Sequence, residues 1–193
     1  MAMPLPMPRL TIDMLDALPD DGTRYELLEG MLLLTPAPNF AHQVVATRLA
    51  AMLTTALRGT GATVVAIGAI QRGKHTQLQP DILVCPPGVR PTMTWRDIRG
   101  WWLAVEVLSP SSRLYDREVK RPAYLALGVQ EYWIADPDDC SIEVWTPDSV
   151  APRRVTTDLS WCPAALDRDI VIDLTEVFEG VCPPEKAPED FPA

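Results

Sequence analysis

The sequence has few of the residues that build zinc or thiol sites. It contains two histidines and four cysteines, it has no C-x-x-C motif, and neither histidine lies near a cysteine. Zinc sites need such ligands at close spacing. We therefore exclude a zinc or thiol enzyme, and we expect reduced thiols of the kind found in cytosolic proteins. These residues are His42, His75, Cys85, Cys140, Cys162 and Cys182.

Long apolar runs and an excess of positive charge are also missing. No stretch approaches the roughly 20 apolar residues that span a bilayer, and the first ten residues do not have the basic and apolar regions of a secretory signal. We therefore predict a cytoplasmic protein with no membrane partner. The net charge of −9 argues against broad nonspecific binding to nucleic acid, although a local basic patch remains compatible with it.

What is present is enough apolar material for one well-filled domain. The chain has 193 residues, of which 47% are hydrophobic, so a sizeable core is available and global disorder is excluded. The composition shifts only near the two ends. We predict a flexible arm at residues 1–9, a single domain at residues 10–180, and a tail rich in Pro and Glu at residues 181–193.

The order of patterns predicts an α/β (α+β) fold around a mixed sheet. The inner order is helix, strand, strand, strand, helix, strand, with an N-terminal hairpin before it and a β extension after it. Asn39 is a suitable N-cap for the first long helix. The predicted hairpin strands are 24–28 and 31–35, the predicted helices are 11–18, 40–57 and 112–127, and the predicted later strands are 62–71, 78–85, 101–108, 130–136, 140–146, 153–157 and 170–174.

Two carboxylates stand at or in strands that are otherwise apolar. Glu106 interrupts the run from Trp101 to Leu108, and Asp81 directly precedes an Ile-Leu-Val run. An unpaired buried charge costs several kcal/mol, so a carboxylate kept there is usually paired or binds a cation. Carboxylates on neighbouring strands can converge on one cation, and such oxygen-rich sites suit Mg²⁺ or Mn²⁺.

The helix after Glu106 carries Asp116 and Lys120, four residues apart and therefore on one face. One interpretation of this pair is a solvated surface ion pair. The other is that Lys120 points back toward Glu106. Pro122 cannot bond to the carbonyl of Glu118, so we expect it to kink the helix or divide it in two.

Glu26 and His42 also allow two interpretations each. Glu26 lies within the first hairpin strand, where it could simply face solvent on an edge strand. His42 lies in the first turn of the long helix, where a histidine is more often a surface residue than a ligand. Both become functional candidates only if the fold brings them to Asp81 and Glu106.

A cation, a nearby lysine and a held water are the groups that phosphodiester hydrolysis requires. The metal polarises phosphate oxygens and lowers the pKa of a bound water. The lysine can hold the water and stabilise the negative charge that grows on the phosphate. The combination of Asp81, Glu106 and Lys120 would therefore suit phosphodiester hydrolysis.

Several motifs resemble a known family. Pro80-Asp81, then Glu106 on the next strand, then a lysine, are similar to the pattern of the PD-(D/E)XK (restriction-endonuclease-like) nuclease superfamily. The segments R-Y-E-L-L-E-G, Q-P-D-I-L-V, V-E-V-L-S-P-S-S, D-R-E-V-K-R-P-A-Y-L-A-L-G-V-Q-E-Y-W-I-A-D-P and I-D-L-T-E-V-F resemble the Uma-two family of endonucleases. The likeness runs from about Leu10 to Phe178.

The resemblance implies an Mg²⁺- or Mn²⁺-dependent endonuclease that acts on nucleic acid, with DNA as the expected substrate, and that forms a homodimer. Asp81 and Glu106 match the metal-binding carboxylates, with Glu26 as a candidate further ligand. Lys120 matches the catalytic lysine, although the superfamily pattern places it two residues after the Glu, where this chain has Leu108. His42, Ser109 and Asp116 match positions that would contact and orient the metal-binding and catalytic side chains. The alternative is a binding or assembly protein on the same fold with a vestigial metal site.

Overall fold

The structure is a computed structural model that describes residues 9–35, 37–163 and 166–182. The arm expected at residues 1–9 and the tail expected at residues 181–193 lie almost wholly outside these ranges, so the extent of the domain stays a prediction. The elements, in chain order, are α1 (Ile12–Leu15), β1 (Arg24–Leu28), β2 (Met31–Thr35), α2 (Phe40–Ala56), β3 (Thr63–Ala66), β4 (Ile70–Arg72), β5 (Thr76–Leu78), β6 (Ile82–Cys85), β7 (Leu103–Val107), α3 (Arg113–Tyr115), a π-helical turn (Asp116–Lys120), α4 (Arg121–Ala126), β8 (Glu131–Asp136), β9 (Ser141–Trp145), β10 (Arg153–Val155), β11 (Asp158–Trp161), β12 (Ile170–Asp173) and α5 (Leu174–Val177).

The centre of the fold is a mixed six-stranded sheet in the order β10-β9-β8-β7-β6-β3. β7 and β8 run parallel, and the other neighbours are antiparallel. A parallel pair needs a crossover, and here the helical segment from α3 to α4 supplies it. The predicted mixed α/β architecture is confirmed.

Both faces of this sheet are covered, which explains why its central strands are nearly all apolar. On one face, α2 packs through Val45, Leu49 and Leu53, together with β11, β12 and α5. On the other face, α4 packs through Tyr124 against Tyr132 and other buried residues. The carboxylates of interest lie on this second face.

The predicted hairpin of β1 and β2 joins β5 and β4 in a second sheet, in the order β2-β1-β5-β4. Its turn has Glu29 and Gly30 at positive φ, and a Cβ on Gly30 would lie 2.7 Å from Arg9 Cβ. Glycine suits this turn because it tolerates the left-handed conformation and leaves room for the close approach. This second sheet lies next to Asp81, because the chain passes from β5 through Asp81 into β6 of the main sheet.

Two predicted strands are each broken in the structure. The strand expected at residues 62–71 is β3 and β4, separated by a corner at which Ile67 has φ 56° and Gly68 packs so closely on Leu83 that a Cβ would lie 2.9 Å from its side chain. The strand expected at residues 78–85 is β5 and β6, separated at Pro80, which cannot donate to a ladder. Each break transfers the chain from one sheet to the other.

The helix expected at residues 112–127 is divided, in keeping with the effect expected of Pro122. The backbone N–H of Arg121 donates to the carbonyl of Asp116, five residues earlier, which closes a π-helical turn. Pro122 then lies in the first turn of α4, where its missing N–H is tolerated. Such π turns often occur at functional sites.

The expectation of four reduced thiols is wrong for two of them. Cys140 and Cys182 form a disulfide across 42 residues, whereas Cys85 and Cys162 are free. Spacing along the chain could not reveal this pair, because Cys140 lies in the turn before β9 and Cys182 lies beyond the end of α5, and only the tertiary fold brings them together. The sequence analysis also missed β11, which pairs with β12.

Candidate functional site

Asp81 and Glu106 lie side by side on one face of the main sheet. Ile82 on β6 pairs with Val105 on β7 in antiparallel register, and the next step of that register places Asp81 opposite Glu106. Directly opposed residues of antiparallel strands point to the same face. Asp81 and Glu106 are 5% and 2% exposed, so two carboxylates are buried on this face of adjacent strands.

A guanidinium lies between these two carboxylates. Arg24 Nη1 donates to Asp81 Oδ1 at 2.9 Å, and Arg24 Nη2 lies 3.9 Å from Glu106 Oε2. Arg24 and Glu26 are two residues apart on β1 and therefore share a face, which directs both toward the site. Arg24 was not among the predicted site residues, although its position two residues before Glu26 was a usable signal.

Asp81 is held by three groups. His42 Nε2 lies 3.0 Å from Asp81 Oδ2, and the backbone N–H of Val107 donates to the same oxygen at 2.9 Å. Burial alone would raise the pKa of Asp81, but the bond from His42, the charges of His42 and Arg24, and the Val107 N–H together lower it. Asp81 is therefore ionised at neutral pH.

His42 is buried and reaches Asp81, so the surface interpretation of this histidine does not apply. It lies three residues before Val45 on the buried stripe of α2, and Asn39 caps the same turn by accepting from the His42 N–H at 2.9 Å. Its Nδ1 is buried and has no hydrogen-bond partner among the described residues. Its spacing from Val45 was the signal that favoured a buried position.

Lys120 points toward Glu106, and the interpretation of Asp116–Lys120 as a solvated pair is wrong. Lys120 is 1% exposed. Its Nζ lies 2.8 Å from Glu26 Oε2, 2.9 Å from Glu106 Oε1 and 3.9 Å from Asp116 Oδ1. Burial alone would lower the pKa of Lys120, but the charges of Glu106, Glu26 and Asp116 outweigh burial and raise it. Lys120 therefore stays charged.

Glu106 shares its first oxygen with a second donor. Tyr124 Oη donates to Glu106 Oε1 at 2.9 Å, and Tyr124 follows Lys120 by four residues, so both reach the strand from one helical face. The pKa of Glu106 is raised well above 4.5, first by burial and then by neighbouring carboxylates, against the opposing effect of Lys120. Burial likewise raises the pKa of Asp116. The cationic side chains of the site therefore do not fully offset the burial of its carboxylates.

Glu26 is fully buried, so its position is not the solvent face of an edge strand. Its Oε1 accepts from the backbone N–H of Gln79 at 2.6 Å, and its Oε2 contacts Lys120 and accepts from Thr35 at 3.2 Å. Both oxygens are therefore engaged. A role as a further metal ligand stays a prediction and would require Lys120 or Thr35 to give way.

Ser109 lies at the rim and not in the charge network. Its hydroxyl donates to Ser112 Oγ at 3.1 Å, and its backbone N–H also donates to that oxygen. It lines a pocket of about 20 Å³ that also reaches Glu106 and Asp116. Ser109 therefore shapes the approach to the carboxylates without touching them.

A larger pocket adjoins Asp81. Its volume is about 270 Å³, and its wall includes Arg24, His42 and Asp81 on one side. Uncharged residues complete the wall, and they come from the turn before β1, the end of β2, the segment before α2, α2 itself and the Ile67 corner. Arg24 and Asp81 belong to both pockets, so the two carboxylates can be approached from solvent through this opening.

The carboxylate oxygens of Asp81 and Glu106 are of the type that binds a hard divalent cation, but Arg24 faces them in this structure. Among the residues that the structure describes, no group of three or more His, Cys, Asp and Glu side chains is arranged to hold a metal ion. Asp81 Oδ1 and Glu106 Oε2 are the two oxygens that face Arg24, and carboxylate oxygens are what Mg²⁺ and Mn²⁺ prefer. Asp81 and Glu106 therefore fit the cation if the guanidinium moves aside.

Two tyrosines were missed as candidates for the site. Tyr124 was not among the predicted site residues, although its spacing of four residues from Lys120 predicted a shared face. Tyr115 has a buried hydroxyl with no hydrogen-bond partner among the described residues. Burial is the main cause that raises the pKa of Tyr115 to about 12, so this hydroxyl keeps its proton.

The mixed sheet, with a crossover helix that returns to two strand carboxylates, defines a protein of restriction-endonuclease-like fold. It is similar to the crystal structure of a "putative nuclease belonging to DUF820" from Anabaena variabilis ATCC 29413, with a TM-score of 0.71, 19% sequence identity, and coverage of 89% of this chain and 99% of that chain. No curated protein matches the chain. The chain belongs to the Uma2 family, described as "Putative restriction endonuclease", whose model matches residues 12–180. No helix in the described ranges is long and apolar enough to cross a membrane.

Proposed function

We propose that the protein is a divalent-cation-dependent endonuclease that hydrolyses phosphodiester bonds, with DNA as substrate and Mg²⁺ or Mn²⁺ as the cation. The observation that carries the proposal is the placement of Asp81 and Glu106 on one face of adjacent strands, with Lys120 2.9 Å from Glu106. Membership of a family described by nuclease activity supports the same reaction.

In this proposal, Asp81 and Glu106 hold the cation. When bound, a divalent cation supplies charge for the phosphate oxygens and lowers the pKa of a water. His42 and the Val107 N–H fix Asp81 Oδ2, which leaves Oδ1 turned toward Arg24 and the solvent-accessible pocket.

Lys120 and Tyr124 fix Glu106 in the same way. Both bond to Oε1, so Oε2 is the oxygen left for a ligand. Because Lys120 is almost fully buried, it acts as a fixed positive charge behind Glu106, and it stabilises negative charge at the site without leaving the network. The raised pKa of Glu106 means that cation binding, which needs its ionised form, is favoured by higher pH.

The test is cleavage of supercoiled plasmid DNA with Mg²⁺ or Mn²⁺. The parent should nick or linearise the plasmid, and Asp81→Ala should reduce the rate by about a hundredfold or more, the scale for loss of one charge-stabilising group. EDTA should abolish cleavage. An Asp81→Ala protein that is folded and as active as the parent would refute the proposal, and RNA in place of DNA tests the substrate.

A second candidate function is supported by Arg24. A guanidinium that already bonds to Asp81 and lies 3.9 Å from Glu106 is what a non-catalytic binding or assembly protein with a vestigial site would retain. Such a protein would bind nucleic acid or a protein partner without cleavage. Absence of Mn²⁺ binding in calorimetry, together with absence of cleavage by the parent, would favour this function over the nuclease.

Two further parts of the proposal concern assembly and location. We expect a homodimer, because small nucleases of this kind often act as pairs, and sedimentation equilibrium tests it directly. We expect a cytoplasmic location, which the Cys140–Cys182 disulfide argues against. Free thiols can be counted in protein alkylated at the moment of lysis. Two free thiols would indicate the disulfide, and four would indicate the reduced state expected in the cytoplasm.

A further inference from the structure

Arg24 places a positive charge where the proposed function needs a metal. Its two terminal nitrogens face Asp81 Oδ1 at 2.9 Å and Glu106 Oε2 at 3.9 Å. These are the two carboxylate oxygens that His42, Val107 and Lys120 leave available. The guanidinium is thus the counter-ion of the pair, although the site already has Lys120 behind it.

A divalent cation and this guanidinium cannot occupy the same position. Mg²⁺ sits at about 2.1 Å from its oxygen ligands, so a cation on Asp81 Oδ1 would displace the bond from Arg24 Nη1. Two positive groups on one oxygen would also repel each other strongly at the low dielectric of a buried site. Cation binding therefore requires Arg24 to move.

The structure provides both the freedom and the space for that movement. The Arg24 side chain is 21% exposed, whereas Lys120 is buried. Arg24 lines the pocket of about 270 Å³ as well as the small pocket at Glu106. Its Nε is buried without a hydrogen-bond partner among the described residues, so the present conformation does not use all of its donors.

We propose that Arg24 is an exchangeable counter-ion: it holds Asp81 and Glu106 before a divalent cation binds, and it turns to the substrate phosphate once the cation has taken its place. The planar fork of arginine suits phosphate oxygens, and the adjoining pocket is where a nucleic-acid strand at Asp81 would lie. This inference rests on the proposed nuclease function and deepens it, since it assigns a phosphate-binding residue.

Arg117 provides a matched control. It also contacts two carboxylates, with Nη2 2.7 Å from Glu143 Oε1 and 3.5 Å from Asp136 Oδ2, and its side chain is 29% exposed. Arg24 and Arg117 therefore have similar side-chain exposure, and each lies against two acidic side chains. They differ in that Arg24 alone borders Asp81 and Glu106.

The first measurement is calorimetric titration with Mn²⁺ in the absence of nucleic acid. Arg24→Met should bind Mn²⁺ at least tenfold more tightly than the parent, because it removes the competing charge and keeps an unbranched stem. Arg24→Lys, which keeps the charge, and Arg117→Met should both bind like the parent. Loss of the signal in Asp81→Ala assigns the binding to this site, and thermal melting of each variant confirms folding.

The second measurement is binding of a fluorescein-labelled DNA oligonucleotide in Ca²⁺, followed by anisotropy. Arg24→Met should bind the DNA at least tenfold more weakly although its cation affinity has risen, and Arg117→Met should match the parent. A residue that only stabilises the fold would not move the two affinities in opposite directions.

The outcomes separate this inference from the proposed function. Unchanged or weaker Mn²⁺ binding by folded Arg24→Met, in a parent that cleaves DNA, overturns the inference and leaves the nuclease standing. Tighter Mn²⁺ binding with weaker DNA binding supports the inference, even if no variant cleaves and the nuclease proposal falls. Tighter Mn²⁺ binding with unchanged DNA binding overturns the phosphate role.

Discussion

Two charge clusters use different faces of the same helical segment. Asp116 and Lys120 turn inward, where Lys120 meets Glu26 and Glu106. Arg113 and Arg117, with the same spacing of four residues, are partly exposed and meet the acids Asp136, Asp138 and Glu143 of β8, β9 and the turn between them. Identical spacing thus produces a buried network in one case and a partly solvated one in the other.

The difference shows that burial, and not the number of ion pairs, determines what each cluster does. The outer arginines are about 30% exposed, so water shares in solvating them and each pair contributes little to stability. Inside, desolvation raises the pKa of Glu106 and Asp116, and any lost partner leaves an uncompensated charge. Reactive chemistry is expected in the inner cluster for the same reason.

The largest effect is expected for Lys120→Met. It leaves Glu26 and Glu106 facing each other without their shared cation, and removing one partner of a buried ion pair costs about 3–5 kcal/mol. We expect the free energy of unfolding in urea to fall by about that amount, and metal-dependent cleavage to fall by about a hundredfold or more. Adding Glu26→Gln to Lys120→Met should recover part of the stability, because contacting residues are not additive.

A stability loss below about 1 kcal/mol in Lys120→Met would contradict the buried network, because it would mean that water reaches the lysine. Lys120→Arg tests the shape of the charge. A planar fork does not replace a point ammonium between two carboxylates, so this variant should recover little of the cleavage rate.

The elements that turn residues, caps and periodicity define were predicted well from the sequence. The hairpin strands 24–28 and 31–35 and the Asn39 cap are as predicted, and α2 ends one residue before its predicted end. Turn residues, caps and periodicity act within a few residues of one another, so one sequence contains the information. The breaks at Ile67 and Pro80 were missed because each follows from which sheet the chain joins next.

For the candidate site as well, the sequence predicted residues with a local signal and missed those placed by long-range contacts. Asp81 and Glu106 were predicted as site residues because a carboxylate kept at or in an apolar strand is usually paired or binds a cation. The role of Arg24 was missed because its partner Asp81 is 57 residues away, and no local pattern states which face of β1 covers β6. The same argument applies to the choice between a solvated and a buried Lys120, which only the packing of the π-helical turn decides.

A pH series of the Glu106→Gln variant is the next test of the comparison. An acid whose pKa is higher in the folded chain binds its proton more tightly there, so the free energy of unfolding decreases as the pH rises above the ordinary value of 4.5 toward the folded pKa. Without divalent cations, the parent should lose stability over that range at no more than about 1.4 kcal/mol per pH unit for this one proton. Glu106→Gln should flatten the slope.

The measurement is urea unfolding of parent and variant from pH 5 upward, with EDTA present. Asp116, whose pKa is also raised, will leave some residual slope in Glu106→Gln. Identical slopes in parent and variant would show that Glu106 is ionised throughout and that Lys120 fully offsets its burial. The inner cluster would then behave like the outer one.

The smallest expected effect belongs to the outer cluster, in Arg117→Met. The Nε and Nη2 donors of Arg117 bond to Glu143 Oε1 at 3.0 and 2.7 Å, but the side chain is 29% exposed, and pairs of this kind contribute about 1 kcal/mol or less. Of the two carboxylates that it leaves, Glu143 is 15% exposed and can be partly solvated, and the buried Asp136 keeps both of its bonds from Arg113. We therefore expect a loss of at most about 1 kcal/mol in urea unfolding, a further reduction of that loss in 1 M salt, where exposed charges are screened, and unchanged Mn²⁺ affinity. A loss as large as that of Lys120→Met, or one insensitive to salt, would mean that the outer cluster is also desolvated, and exposure would then no longer explain why the chemistry is assigned to the inner face.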